Sequence, residues 1–396
     1  MAMQSNSGMP SKDFQNLLDR VHEVGRETVA VFADDVDEKA RFPKESFEVF
    51  KAEKWLSCYV PQELGGMNMT IKQVCTMCEV LGGYCASTAM IFAMHQIQVA
   101  CIANHCGDSE YFNQFLRDLV DKQYLLASAT TEIGVGGDLR TSQCALQVDG
   151  DSFQIEKQAP VISYAKAADA IMVTCRRNEN SNPGDQVQVL VFAKDYTLDQ
   201  LADWDTMGFR GTCSEGFVLK GSGDVSQVQP APFGEILEQT MHPVAHLTWS
   251  SLWLGLAQDA VKRARVTVSG IARKDPGVTP ISAYRLTEVD EQLYLMRSGL
   301  YQAIDEYQEK LDLQDASAFQ DFAYAIRVNN VKLRSSEMLV DIISKSLFIV
   351  GISGYKNNSK NSLCRHIRDA YGAAIMVNND RIRGHNATMH IALRNR

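Results

Sequence analysis

The hydrophobic period of this chain changes twice, and that change restricts its fold more than any other feature. Up to about residue 124, apolar side chains recur at helical spacing: Leu17, Val21 and Val24, then Phe47 and Phe50, later Met90, Met94 and Val99. One sharp break, Pro61-Gln62-Glu63-Leu64-Gly65-Gly66, forces a loop through its proline and paired glycines. From Leu125 to about Phe233 short β-rich runs take over (Ala170 to Cys175, Val187 to Phe192, Gly216 to Leu219), separated by Gly, Asn, Asp and Pro turns. After Ile236 the helical pattern returns, with Leu247, Leu254, Ala257 and Val261 on one stripe. Helices, then strands, then helices predict an α+β chain. Its parts are an N-terminal helical domain (1–124), a middle β-domain (125–235) and a C-terminal helical-bundle domain (236–396).

That order excludes several chemistries. The Gly134-Val135-Gly136-Gly137 run lies among strands with no helix pattern after it, so it is not a βαβ dinucleotide fingerprint. No GxSxG elbow, phosphate-binding P-loop or HExxH pair occurs. Cys75 and Cys78 form a lone CxxC in a helical context, which reads as packing on one helix face. His242 and His246 are spaced for one helix face but lack a third ligand at metal spacing, so no metal site is expected. Against 39 Lys+Arg stand 48 Asp+Glu, a net charge of −9 without a basic run, which argues against nucleic acid. The most membrane-like stretch, Met338 to Ile352, is interrupted by Asp341 and Lys345 and is too short to span, so no membrane partner is expected. Met1 to Lys12 reads as a flexible leader without an apolar signal core. Ten cysteines scattered through apolar surroundings suit reduced thiols in the cytoplasm.

Four segments stand in one order along nearly the whole chain. They are Val60-Pro61-Gln62-Glu63-Leu64-Gly65-Gly66, Thr130-Thr131-Glu132-Ile133-Gly134-Val135-Gly136-Gly137-Asp138, Ile162-Ser163-Tyr164-Ala165 with Ala168-Asp169, and Met207-Gly208-Phe209-Arg210-Gly211-Thr212. Gly255-Leu256-Ala257-Gln258 and Arg368-Asp369-Ala370 follow. Together they resemble the FAD-dependent acyl-CoA dehydrogenase superfamily, its TEPGAGSD flavin loop, ITNG segment and MGxRG turn. The resemblance implies the acyl-CoA dehydrogenase-like fold and FAD as cofactor. It puts Thr131 at the flavin's pyrimidine end and Ser163 beside N5. Ser128, Thr130, Gly136, Gly137, Val161, Arg273, Gly351, Asn379 and Arg381 join the cofactor side by the same transfer. The physical reading agrees: hydroxyls and glycines in this loop suit a ring that gathers negative charge when reduced.

The chain also departs from that family. Val161 replaces an aromatic ring beside the flavin, and Gly137 replaces the serine that ends the glycine loop. Lys274-Asp275-Pro276-Gly277 follows Arg273, and Phe348 to Tyr355 lacks the family's glutamine and one glycine. The family's dehydrogenases abstract an α-proton with a glutamate, since that proton is too weakly acidic to leave without a positioned base. Ungapped transfer from Arg368-Asp369-Ala370 puts Val377 at that position. The second branch's base position is Ala245, and Pro243 and His246 replace an Asp and an Arg that meet the thioester. His95, Asp380 and His246 are the remaining candidates for a base. Two of them also have a purely structural reading: a buried core histidine for His95 and a helix N-terminal carboxylate for Asp380.

The resemblance therefore implies an FAD-dependent oxidoreductase, an α,β-dehydrogenase of an acyl thioester carried on CoA or on an acyl carrier protein. Its electrons would pass to a transfer partner or to O2. The alternatives are a flavin-dependent monooxygenase of the same fold and a non-catalytic family member. Arg273 and the Gly351 loop resemble segments that reach FAD across a subunit boundary, which implies a homo-oligomer, a dimer of dimers.

Overall fold

The structure, a computed structural model, describes residues 6–393. Helix α1 (Ser11–Val24) runs through a π turn, Gly25–Val29, into α2 (Ala30–Glu38), and α3 (Lys44–Ala52) follows. The expected leader is only partly free. Asn6 is buried and donates to the carbonyls of Tyr59 (2.8 Å) and Met69 (2.9 Å), because this side chain pairs two otherwise open loop carbonyls. The remainder of that segment, residues 1–5, lies outside the described residues. Helix α4 (Ile71–Gly82) starts on a reciprocal cap: the Thr70 hydroxyl accepts from the Gln73 N–H, and the Gln73 side-chain Oε1 accepts from the Thr70 N–H. Helix α5 (Ala86–His105) and α6 (Glu110–Lys122) complete this helical part.

The most membrane-like stretch expected from sequence is 338–352, whereas the helix long and apolar enough to span among the described residues is α5. The reason is composition. His95, Gln96 and Gln98 carry no charge, so they leave α5 apolar on average. Its apolar window is 94% buried inside the protein, as a core helix requires.

Strand β1 (Leu126–Ala129) opens the middle part, followed by β2 (Gln147–Asp149), β3 (Ser152–Ala159), β4 (Ala170–Arg176), β5 (Gln186–Phe192), β6 (Tyr196–Ala202) and β7 (Gly216–Asp224). Two sheets form, in the orders β1-β4-β5 and β2-β3-β7-β6. The pair β1–β4 is parallel and every other pair antiparallel. Strand β3 alternates exposed and buried residues along its whole length, so one of its faces meets solvent. Strand β4 is buried at six consecutive residues, which explains why its sequence reads as a continuous apolar run.

The C-terminal part comprises α7 (Phe233–Ile236), α8 (His242–Ala272), α9 (Ile281–Asp312), α10 (Phe322–Val350), α11 (Ile352–Tyr355), α12 (Cys364–Ile375) and α13 (Asn379–Ala392). Helix α8 is its axis and touches α4, α5, α9 and α10. At the α4–α8 crossing a Cβ on Gly255 would overlap the Glu79 carbonyl, and one on Gly82 would overlap the Leu252 carbonyl. Glycine is required there because backbone meets backbone. Cys75 and Cys78 are buried side by side in α4, and all ten cysteines are free thiols.

Candidate functional site

The Met207–Thr212 turn and the Arg368-Asp369 pair form one interlock. The Phe209 N–H donates to Asp369 Oδ1 at 2.6 Å. Arg368 forks onto the Asp37 carboxylate and donates to the Met207 carbonyl at 3.1 Å. Arg210 Nε donates to the Asp37 carbonyl at 2.8 Å. A Cβ on Gly208 would overlap the Arg368 backbone, so that turn accepts only glycine. Asp369 is fully enclosed, and burial pushes its carboxyl up to about 6. These contacts tie all three parts of the chain together at one point.

Beside the interlock lies a cavity of about 630 Å³. Helix α5 contributes Met90, Met94 and Ile97, the segment before and into α8 contributes Leu237, Met241 and Ala245, and the α12–α13 link contributes Ile375, Met376 and Val377. No Asp or Glu stands among the described residues that line it, and its one cation, Arg368, is already paired with Asp37.

Ser128, Thr130, Thr131, Val161 and Ser163 all line this cavity. Thr212 and Ser214, which sequence reasoning missed, join them through a hydroxyl chain. Ser163 Oγ meets Ser214 Oγ at 2.8 Å, and Ser214 Oγ meets Thr212 Oγ1 at 2.8 Å. Thr212 donates to the Phe209 carbonyl at 2.8 Å. A carbonyl only accepts, so Ser214 donates to Thr212, and Ser163 donates to Ser214. Ser163 therefore keeps only lone pairs for a cavity ligand, a polarity that fits the N–H of a reduced flavin ring. No local signal in the sequence announces this chain, because Ser163 and Ser214 lie 51 positions apart.

The glycine loop between β1 and β2 holds Gly134, Gly136 and Gly137 at φ of 94°, 61° and 75°. Buried Glu132 pins its ends, accepting from the Ser142 hydroxyl (2.6 Å) and the Cys144 N–H (2.7 Å) beside Lys157. Arg381 Nη1 donates to the Gly137 carbonyl at 2.6 Å and occupies the space a Cβ on Gly137 would need. These residues could hold the phosphate end of a flavin nucleotide. Arg273 and Gly351 cap the ends of α8 and α10 and do not line the cavity. Asn379 is away from the cavity lining as well. It is buried, with Oδ1 accepting from Lys332 and Nδ2 donating to Ser336, so its amide ties α13 to α10.

Of the candidate bases, the structure moves two away from the cavity. His95 is fully buried, its Nδ1 accepting from the Leu126 N–H (3.0 Å) and its Nε2 donating to the Leu56 carbonyl (2.7 Å). Nδ1 thus fastens α5 to β1 and Nε2 fastens it to the turn at Leu56, and burial pushes the imidazole down to about 4. Asp380 sits in the first turn of α13 behind the Asn378 cap, exposed and 3.4 Å from Arg383, because the chain turns helical at that point. His246 does line the cavity, and so does His242. Their rings lie 4.3 Å apart and burial holds both well below the usual imidazole range. Among the described residues no group of three or more His, Cys, Asp or Glu could hold a metal.

Val377, at the expected base position, adopts φ of +47°, which a β-branched side chain rarely takes. Its carbonyl accepts from the buried Lys332 ammonium at 2.7 Å, while Asn379 Oδ1 accepts at 2.6 Å. Lys332 has no carboxylate within ion-pair distance among the described residues, and burial pushes it down to about 8. An unfolded lysine holds its proton to about 10.4, so between pH 8 and 10.4 the unfolded state binds more protons and this group's burial cost fades as pH rises. Lys332→Met should therefore abolish a gain of about 3 kcal/mol across that window. The measurement is the difference in denaturant stability between variant and parent at each pH, since buried thiols titrate there in the opposite sense. A pH-independent difference would refute the assignment.

Comparison with known proteins matches residues 11–123 to the family model "Acyl-CoA dehydrogenase, N-terminal domain". The chain is 31% identical over 157 residues to cyclohex-1-ene-1-carbonyl-CoA dehydrogenase of Geobacter metallireducens, a match spanning 39% of this chain and 41% of that protein's length. It is 23% identical over 371 residues to the probable acyl-CoA dehydrogenase YngJ of Bacillus subtilis, covering 91% of this chain and 93% of the relative. Among solved structures, butyryl-CoA dehydrogenase of Megasphaera elsdenii superposes with TM-score 0.82 at 18% identity, covering 96% of this chain and 99% of the other. FMN-bound TdsC of Paenibacillus sp. A11-2, a dibenzothiophene monooxygenase, superposes with TM-score 0.81 at 17% identity, over 96% and 98%.

Proposed function

Because the chain belongs to the acyl-CoA dehydrogenase superfamily, we propose that it is a flavin-dependent oxidoreductase, and specifically a monooxygenase of an apolar substrate held in the 630 Å³ cavity. A bound flavin, as FAD or FMN, supplies the two-electron chemistry and, when reduced, the reaction with O2. The observation that carries the choice of reaction is the absence of any carboxylate from the described cavity lining. Removing a weakly acidic α-proton needs a base whose pKa is not far below neutrality. Burial lowers His242 and His246 away from that range, and Asp380 stands outside. Oxygen insertion needs no α-carbon base. The chain's own residues orient and enclose: the Ser163–Ser214–Thr212 hydroxyls order one wall, and the methionine-rich α5 face excludes water.

The second reading, an acyl-thioester dehydrogenase, is favoured by the named dehydrogenases among the relatives. Association of copies is part of either reading, since Phe348, Ile352 and Tyr355 stand 74%, 71% and 71% exposed around Gly351.

The test supplies reduced flavin and isotopically labelled O2 with a panel of apolar heteroaromatics, and reads label in the product. Expected is O2-dependent labelling with no flavin bleaching by acyl-CoA thioesters under anaerobic conditions; anaerobic bleaching would transfer the assignment to the dehydrogenase. Ala245→Trp, which fills the cavity from α8, should cut turnover at least about tenfold.

A further inference from the structure

The residues His242, Ala245, His246 and Trp249 stand at i, i+3, i+4 and i+7 on α8, and all four line the cavity. The polar atoms of the two histidines have a fixed direction, while Trp249 Nε1 is buried without a partner among the described residues. His242 Nε2 lies 2.9 Å from Asn329 Oδ1, and the Asn329 amide nitrogen donates onward to Asn386 Oδ1 at 2.7 Å. With its nitrogen committed, Asn329 presents an oxygen to His242, so His242 carries its proton on Nε2 and leaves Nδ1 as a lone pair. His246 Nδ1 lies 3.4 Å from the Val328 carbonyl, which only accepts, so its proton is on Nδ1 and Nε2 is left as a lone pair. Across the cavity, Ser163 is likewise left with lone pairs.

We infer that this α8 face selects a neutral, largely apolar substrate bearing one hydrogen-bond donor, a hydroxyl or ring N–H, which the free nitrogen of His246 accepts. The inference rests on the oxidative reading of the cavity and names its substrate class. A carboxylate would enter without a free cation to meet it, since Arg368 is held by Asp37 and Lys332 by Val377 and Asn379. An ammonium would bring a second positive charge beside His246, whose surroundings already contain Lys332. A donor-free apolar molecule would fit but leave the imidazole nitrogen unpaired.

The experiment measures equilibrium binding to the full-length, flavin-loaded protein at pH 7.5. Its probes share one bicyclic ring: 2-naphthol, 2-methoxynaphthalene, 2-naphthoate and 2-naphthylmethylammonium. Expected is 2-naphthol bound at least about tenfold more tightly than each of the others. His246→Leu should erase the preference of 2-naphthol over 2-methoxynaphthalene while changing affinity for the latter less than about twofold. Equal binding of naphthol and its methyl ether, tighter binding of either ion, absence of binding by all four, or an equal loss of both neutral probes in the variant would overturn the inference. Because the readout needs neither O2 nor turnover, selective binding without oxygen insertion would sink the monooxygenase reading and leave this one standing.

Discussion

Lowering the pH from 7 to 4 should remove about 6 kcal/mol of stability or more and unfold the protein. Burial holds His95, His105 and His242 at about 4, against about 6.5 for an unfolded imidazole. Between those values the unfolded chain takes up protons that the folded chain refuses, so stability falls as pH falls. Each group contributes about 3 kcal/mol, and His246 and His366 are lowered in the same direction. Asp369 opposes them. Burial raises it to about 6, so its protonation between pH 6 and about 4 restores about 3 kcal/mol. The remaining loss is comparable with the whole stability of an ordinary domain. Denaturant midpoints measured from pH 7 downward check this, and His105→Gln should remove about a third of the slope that His95, His105 and His242 contribute. A flat profile to pH 4.5 would show that these imidazoles are not held neutral.

The second large effect is steric. Gly255→Ala should cost about 3 kcal/mol or more, because the new Cβ overlaps the Glu79 carbonyl of α4. Backbone cannot swing aside as a side-chain tip can, so α4 and α8 must separate. Helix propensity favours alanine by about 1 kcal/mol and only partly offsets the clash. Gly270, on the same helix, has open space where its Cβ would go. Gly270→Ala should therefore be neutral or gain up to about 1 kcal/mol. Thermal unfolding of the two variants gives the comparison, and equal melting temperatures would refute the close-crossing argument.

Local pattern carried much of the architecture. The change of period near Leu125 falls where β1 begins, and the runs at 170–175, 187–192 and 216–219 lie within β4, β5 and β7. Strands β2 and β6 were not legible, because their side chains are mostly exposed and have no alternation to display. The cavity-lining residues from Ser128 to Ser163 could be singled out because they sit in short contiguous motifs. The Glu132 pin, the Ser163–Ser214 contact and the Lys332 clamp could not, because each joins residues from separate segments of the chain.

By itself the sequence determined the order of helices and strands, the glycines of its loops, and a valine at position 377. Those are properties of single residues and of spacing along one segment. Only the tertiary structure decided which titratable groups meet a ligand. His95 and His246 both lie on apolar helix faces, yet one is bound at both nitrogens to backbone while the other opens on the cavity. Asp380 is one turn from Val377 in sequence but belongs to the solvated start of α13. Burial and the direction of each hydrogen bond depend on what the rest of the chain places opposite a side chain, and spacing does not encode that.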